Sequence, residues 1–198
     1  MRRRYPFLVG IDEVGRGPLA GPVAIGVVRI PREFDWSALP GVTDSKRLTP
    51  ARREAITTAA TTLRHQRRLD FAVAQVGSSV IDAQGIVAAT DIALARAIAR
   101  LALDPRECEL RLDGGLQAAP RFQQASIIKG DQLEPAIGLA SIIAKVTRDR
   151  YMARIDRRYP HYGFAAHKGY GTQAHRAAIR QYGKCPIHRT SYCKNITS

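Results

Sequence analysis

The apolar positions of the chain follow two periods, and the switches between them mark out its elements. Phe7-Leu8-Val9-Gly10-Ile11 is a short apolar run that enters an acidic pair, and Val23–Ile30 is a second β-rich run behind Gly21-Pro22. Gly15-Arg16-Gly17-Pro18 between them reads as a turn or bulge, and residues 31–48, with Pro31, Pro40 and Gly41, as a connecting loop. Thr49 then suits a helix N-cap and Pro50 its first turn, with helical spacing to about Arg67. Phe71–Val76 reads as a strand. Ile86, Ala89, Ala93, Ala97 and Leu101 form one stripe and predict a helix over Ile86–Leu103. Glu109–Leu112 and Ala125–Ile128 are short strands, each ending at glycine and aspartate. Helices are expected from about Pro135 to Arg154 and over Gln173–Gln181.

This order of strands and helices indicates an α/β domain: a mixed central sheet flanked by helices, with a short helical region at the C-terminal end. At 198 residues the chain is long enough for one full core, so residues 1–198 read as a single domain. No apolar run approaches the roughly 20 residues that span a bilayer. Arg2, Arg3 and Arg4 resemble the start of a signal peptide, but Asp12, Glu13 and Arg16 interrupt the apolar stretch that would have to follow. The expectation is a soluble, cytoplasmic protein. Cys108, Cys185 and Cys193 have neither disulfide density nor zinc spacing; His188 between the last two leaves a metal site conceivable, with reduced thiols the simpler reading.

Charge narrows the choice of partner. Lys and Arg number 31 against 17 Asp and Glu, a formal net charge of +14. An imbalance of that size points to a polyanion, most simply a nucleic-acid backbone, although a basic surface alone names no reaction. No basic amphipathic helix with large apolar anchors argues for a membrane surface.

Against this background the few acids are informative. Asp12-Glu13, Asp113 and Asp131 each close an apolar strand, and in α/β sheets ligands gather outside strand ends. Hard divalent cations such as Mg²⁺ or Mn²⁺ take oxygen ligands, and a pair of them about 4 Å apart serves phosphodiester hydrolysis. Each acid taken singly has a blander explanation. Asp113-Gly114 is an ordinary turn, and Asp131 precedes a helix whose dipole favours an anion.

The segment Gly10-Ile11-Asp12-Glu13-Val14-Gly15-Arg16-Gly17-Pro18-Leu19-Ala20-Gly21-Pro22 resembles the N-terminal signature of ribonuclease HII. The resemblance continues, in the family's order, through Asp44-Ser45-Lys46, Leu110–Gly114, Lys129-Gly130-Asp131, Ala140–Arg150, Tyr162-Gly163-Phe164, His167–Thr172 and His188–Tyr192. It implies an RNase H-like fold and a metal-dependent endonuclease that cuts the RNA strand of RNA–DNA hybrids. It further implies cleavage 5′ of single ribonucleotides embedded in duplex DNA, leaving 3′-hydroxyl and 5′-phosphate ends, with roles in ribonucleotide excision repair and RNA primer removal.

At matching positions Asp12, Glu13, Asp113 and Asp131 would be the catalytic and metal-binding acids, holding Mn²⁺ or Mg²⁺, two ions when substrate is bound. Gly15, Arg16 and Gly17 would sense the 2′-hydroxyl, since glycine allows close backbone approach and that hydroxyl separates RNA from DNA. Without the family, the same loop is a strand bulge. Tyr170 would pack on the sugar at the RNA–DNA junction, where an isolated tyrosine otherwise reads as a half-buried packing residue. Ser45, Lys46, Lys145, Lys168 and Arg189 would meet backbone phosphate, and His167 would assist nearby or simply pack. The sequence departs from the family at Gly85, where Asn-Ile is common in the region, and at Tyr192, where Phe is common. It ends soon after Tyr192 and leaves no room for the N-terminal domain of the sister class, ribonuclease HIII. The resemblance implies a monomer acting on nucleic acid. Two rivals stand beside it: a DNA-only nuclease on the same sheet, and a binding module whose acids are structural.

Overall fold

The computed structural model describes residues 5–196. Arg2, Arg3 and Arg4 therefore lie outside the described residues. Five strands form one sheet: β1 (Phe7–Val14), β2 (Val23–Pro31), β3 (Asp70–Val76), β4 (Cys108–Asp113) and β5 (Gln123–Ile127), in the order β3-β2-β1-β4-β5. The first three are joined antiparallel, while β1, β4 and β5 run parallel. A mixed sheet of this kind brings the carboxyl ends of its three parallel strands to one edge, where ligands of α/β proteins collect.

The helices are α1 (Pro50–His65), α2 (Ser78–Arg100), α3 (Gly130–Leu133), α4 (Pro135–Asp156), α5 (Phe164–His167) and α6 (Gln173–Tyr182). Helix α1 starts as its sequence predicts, with the Thr49 hydroxyl accepting from the Arg52 N–H at 3.2 Å. Helix α2 starts earlier than its alanine stripe. Gly85, at φ 82°, breaks it into a first segment from Ser78 and a second that carries Ala89, Ala93 and Ala97 against the sheet. The expected loop over 31–48 contains two 3₁₀ turns, Trp36–Ala38 and Ser45–Arg47, each capped by the carboxylate of the preceding aspartate. None of the helices among the described residues is long and apolar enough to cross a membrane.

Helix α2 packs on one face of the sheet, over Val9, Ile11, Val23 and Ile25. Helices α1 and α4 pack on the other, over Val28 and Ile30, with Leu139, Ile142 and Ile143 of α4 at the centre. The N-terminal half of α4 is buried all round because it lies flush on β1 and β2. A Cβ at Gly10 would overlap the carbonyl carbon of Ala136, and one at Gly26 the carbonyl oxygen of Ala140. A third cluster of Leu19, Met152, Phe164, Ile179, Cys193 and Ile196 holds the C-terminal segment against the β1–β2 connection. At about 1.5–3 kcal/mol for each fully buried large side chain, that cluster is enough to fix the segment in place.

Candidate active site

The parallel ladder between β1 and β4 closes with Ile11 opposite Leu112, so the next residues, Asp12 and Asp113, stand side by side at the strand ends. Asp131 arrives from β5 through Lys129, whose φ of 57° turns the chain back, and the Gly130 N–H donates to the Asp113 carboxylate at 2.6 Å. The four acids thus meet at one edge of the sheet. Asp12, Glu13 and Asp131 each experience the charge of Asp113.

Burial dominates their electrostatics. Asp12 is 5% exposed, and desolvation, reinforced by Glu13 and Asp113, pushes its carboxyl up to about 7 against the opposing hydrogen bond from Ser141. Burial also raises Glu13, which Arg16 Nη1, 3.3 Å away, partly offsets. Burial raises Asp131 likewise, followed by the charges of Asp44 and Asp113; Lys46 Nζ, 3.9 Å from Asp131, opposes them.

A divalent cation fits this donor set. Every donor is a carboxylate oxygen, the charge is undercompensated, and Glu13 Oε2 is buried without a hydrogen-bond partner among the described residues. Among the described residues, no three His, Cys, Asp or Glu side chains already surround a common ion position.

The residues expected around the acids fall into three groups. Lys46, whose Nζ stands 3.9 Å from Asp131, and Tyr170, at 45%, are exposed, and Tyr170 lies near Arg148 and Arg189. Lys145 and Lys168 line one groove with Arg53 and Arg150, between α1, α4 and α5; Lys145 pairs with Asp149 at 2.8 Å and Lys168 Nζ donates to the Ala165 carbonyl. Ser45 and Arg189 are corrections. The Ser45 hydroxyl is buried and shares a 2.9 Å hydrogen bond with Ser141, so its side chain supports Asp12 through Ser141 and is not open to phosphate.

Arg189 is fully buried, and desolvation lowers its guanidinium to about 10. It donates to the carbonyls of Gly15, Arg16 and Gly21, so it braces the Gly15-Arg16-Gly17 loop and leaves no donor facing solvent. Arg148, equally buried, holds the carbonyls of Ala20, Pro22 and Lys168. A Cβ on Gly15, whose φ is 90°, would run into the Arg148 side chain. His167 has no nitrogen to spare: Nε2 bonds the Tyr162 carbonyl at 2.6 Å and Nδ1 accepts from the Gly169 N–H at 3.1 Å.

Sequence reasoning assigned no role to Asp44, Ser141 or Arg148. Ser141 did carry a signal, as a lone hydroxyl in the apolar run Ala136–Ala144. The cysteines are all free, and the Cys185 N–H donates to His188 Nδ1 at 2.9 Å.

With this geometry in view, comparison with known proteins is decisive. The protein-family model for ribonuclease HII matches residues 9–195. The chain belongs to the ribonuclease HII family. It is 48% identical over 191 residues to ribonuclease HII of Geobacter sulfurreducens, covering 96% of this chain and 84% of that one. To the Dichelobacter nodosus ribonuclease HII it is 44% identical over 186 residues, 94% of each. Among solved structures, ribonuclease H2 from Pyrococcus horikoshii superposes with a TM-score of 0.72 at 28% identity, covering 96% of both chains. The mixed sheet is thus an RNase H-like fold, and as a ribonuclease HII family member the protein is an endoribonuclease, a phosphodiester hydrolase, of the RNase H type.

Proposed function

We propose that Asp12, Glu13, Asp113 and Asp131 hold Mn²⁺ or Mg²⁺, two ions with substrate bound. The enzyme then hydrolyses the RNA strand of RNA–DNA hybrids and cuts duplex DNA 5′ of a single embedded ribonucleotide, leaving 3′-hydroxyl and 5′-phosphate ends. In the cell this serves ribonucleotide excision repair and RNA primer removal, with the chain acting as a monomeric, single-domain enzyme in the cytoplasm. The observation that carries the reading is the convergence of four carboxylates at the ends of three parallel strands, with a buried Glu13 oxygen left unpartnered. Bound divalent cations would supply water activation and stabilisation of the leaving oxygen.

The protein's own groups provide the positioning. Ser141 and the Glu13 N–H fix the Asp12 carboxylate, the latter at 2.8 Å, and Lys46 balances Asp131. The Gly15-Arg16-Gly17 backbone meets the 2′-hydroxyl and Tyr170 the junction sugar. Lys46, Lys145 and Lys168 meet phosphate. The test is a duplex carrying one ribonucleotide, incubated with Mg²⁺, Mn²⁺ or chelator, with product ends mapped. The expected result is one metal-dependent cut on the 5′ side and none in an all-deoxy duplex. Cleavage in chelator, or equal cutting of the all-deoxy duplex, would refute it.

A further inference from the structure

The β1–β2 connection is held from below by Arg148 and Arg189, which have no ion-pair partner among the described residues. Arg189 takes the carbonyls of Gly15 and Arg16 at 2.6 and 2.7 Å, and that of Gly21 at 2.9 and 3.0 Å. No cis peptide bond is present among the described residues. In a trans peptide the C=O and the following N–H point in opposite directions. Fixing the Gly15 and Arg16 carbonyls inward therefore turns the N–H groups of Arg16 and Gly17 outward. Both residues are exposed, and no described residue accepts from either N–H. Two adjacent donors with a common outward direction are a ready receptor for one oxygen atom.

Arg189 is itself held on both sides. Its N–H donates to the Leu19 carbonyl at 2.8 Å, and the neighbouring Gly21 N–H donates to the Ile187 carbonyl at 2.9 Å, so residues 187–189 pair with 19–21 like a short strand. Beyond it, the Asp82 carboxylate accepts from the Thr190 and Ser191 N–H groups at 2.8 and 2.9 Å and from the Ser191 hydroxyl at 2.5 Å. Asp82 sits on the first segment of α2, before the break at Gly85, whose Ser78 hydroxyl also donates to the Pro186 carbonyl at 3.1 Å. The Tyr192 ring closes over the guanidinium with its centroid 5.2 Å away.

We propose that Arg189, anchored through Asp82, is a positioning residue that aims the Arg16 and Gly17 N–H donors at the ribose oxygen, and so sets the rate of ribonucleotide-specific cleavage without touching substrate. The proposal rests on the proposed function, in which this loop meets the 2′-hydroxyl. A donor aimed in advance at the reacting part of the substrate acts on the chemical step; a phosphate contact acts on binding and its salt dependence.

The experiment compares wild type, Arg189→Met, Arg189→Lys and Asp82→Asn as full chains. Cleavage of a one-ribonucleotide duplex in Mn²⁺ gives kcat, KM and the slope of log affinity against log salt, with thermal unfolding as the control for folding. Arg189→Met is expected to lose about 10²–10³-fold in kcat with KM within about threefold and the salt slope unchanged. Arg189→Lys, which can hold fewer of the three carbonyls, should recover roughly tenfold of that loss. Asp82→Asn, away from the loop, should reduce kcat severalfold in the same manner, and keeps the test open if Arg189→Met fails to fold. Folded variants with wild-type kcat would overturn the proposal. So would a loss carried by KM with the salt slope reduced by about one, the mark of a phosphate contact. Should wild type itself cut an all-deoxy duplex equally, the reading of the loop falls first and the proposal with it.

Discussion

Asp12 is under opposed demands, and they yield a measurable trade. Its carboxylate is buried beside Glu13 and Asp113, an arrangement that favours a bound cation and disfavours the metal-free protein. Asp12→Asn keeps the shape, and its amide can still bond Ser141, but it removes the buried charge. Cleavage should fall at least about 10³-fold. In chelator the variant should be more stable than wild type by on the order of 1–2 kcal/mol, a rise of about 2–4 °C for each kcal/mol in a chain of this size. Calorimetry in chelator, with a cleavage assay in Mn²⁺, checks both halves; near-wild-type cleavage would remove Asp12 from the site. That the four acids gather at one edge of the sheet was legible in the sequence, because acids are scarce and each of these closes an apolar run. Asp44 and Ser141 were not, since their roles exist only once the 3₁₀ turn at Ser45 and helix α4 are folded over β1. Arg189 was misread for a general reason: arginine is rarely buried without a carboxylate, and nothing local marks this one as the exception.

At the scale of elements, periodicity located all five strands and the four long helices, and it failed where an element is too short to show a period. Helices α3 and α5, four residues each, are of this kind. The start of α2 was missed because Gly85 interrupts the stripe. The histidines between α5, α6 and the C-terminal segment were equally opaque, since their meaning lies in a relay. The Cys185 N–H donates to His188 Nδ1; His188 Nε2–H in turn donates to His175 Nε2 at 3.0 Å, and His175 Nδ1–H donates to the Tyr170 carbonyl at 2.9 Å. Those bonds assign one tautomer to each ring and require both to be neutral. Burial pushes His175 down to about 4, with His167, His188 and Arg176 facing it and disfavouring its cation, and burial lowers His188 as well. A histidine depressed in the folded state contributes stability that is full above its ordinary value of 6.5 and is lost as pH falls toward 4. Urea unfolding from pH 7 to 4 should lose up to about 3 kcal/mol through this residue. The loss should shrink in His175→Gln, which cannot titrate; the same pH slope in both proteins would exclude the relay as its source.

Over the whole molecule the division of charge is the organising feature. A net charge of +14 accompanies a cluster of acids at one edge of the sheet, so a polyanion is attracted broadly, and on the proposed reading the acids localise the cation that acts on it. The sequence revealed that imbalance but not its layout, because position on the surface depends on how α1, α4 and α5 come together. Their groove gathers Arg53, Lys145, Arg150 and Lys168 together with Glu54 and Asp149, which pair with Arg150 and Lys145, so Lys168 is its one lysine or arginine with neither an acidic partner nor a buried side chain among the described residues. Binding there releases counterions, so log affinity should fall linearly with log salt, and each phosphate contact should add about 0.9 to the slope on duplex DNA. In the proposed phosphate role, Lys168→Ala would remove a contact that carries no sequence or sugar information. Its defect should therefore appear as a raised KM that is equal for hybrid and one-ribonucleotide duplexes, with the salt slope lowered by about one. Titrating both duplexes between 50 and 200 mM salt, a range over which such contacts change affinity strongly, checks this. A slope that does not move would take Lys168 out of the phosphate path. A defect confined to one of the two substrates would instead give it a part in recognising the sugar.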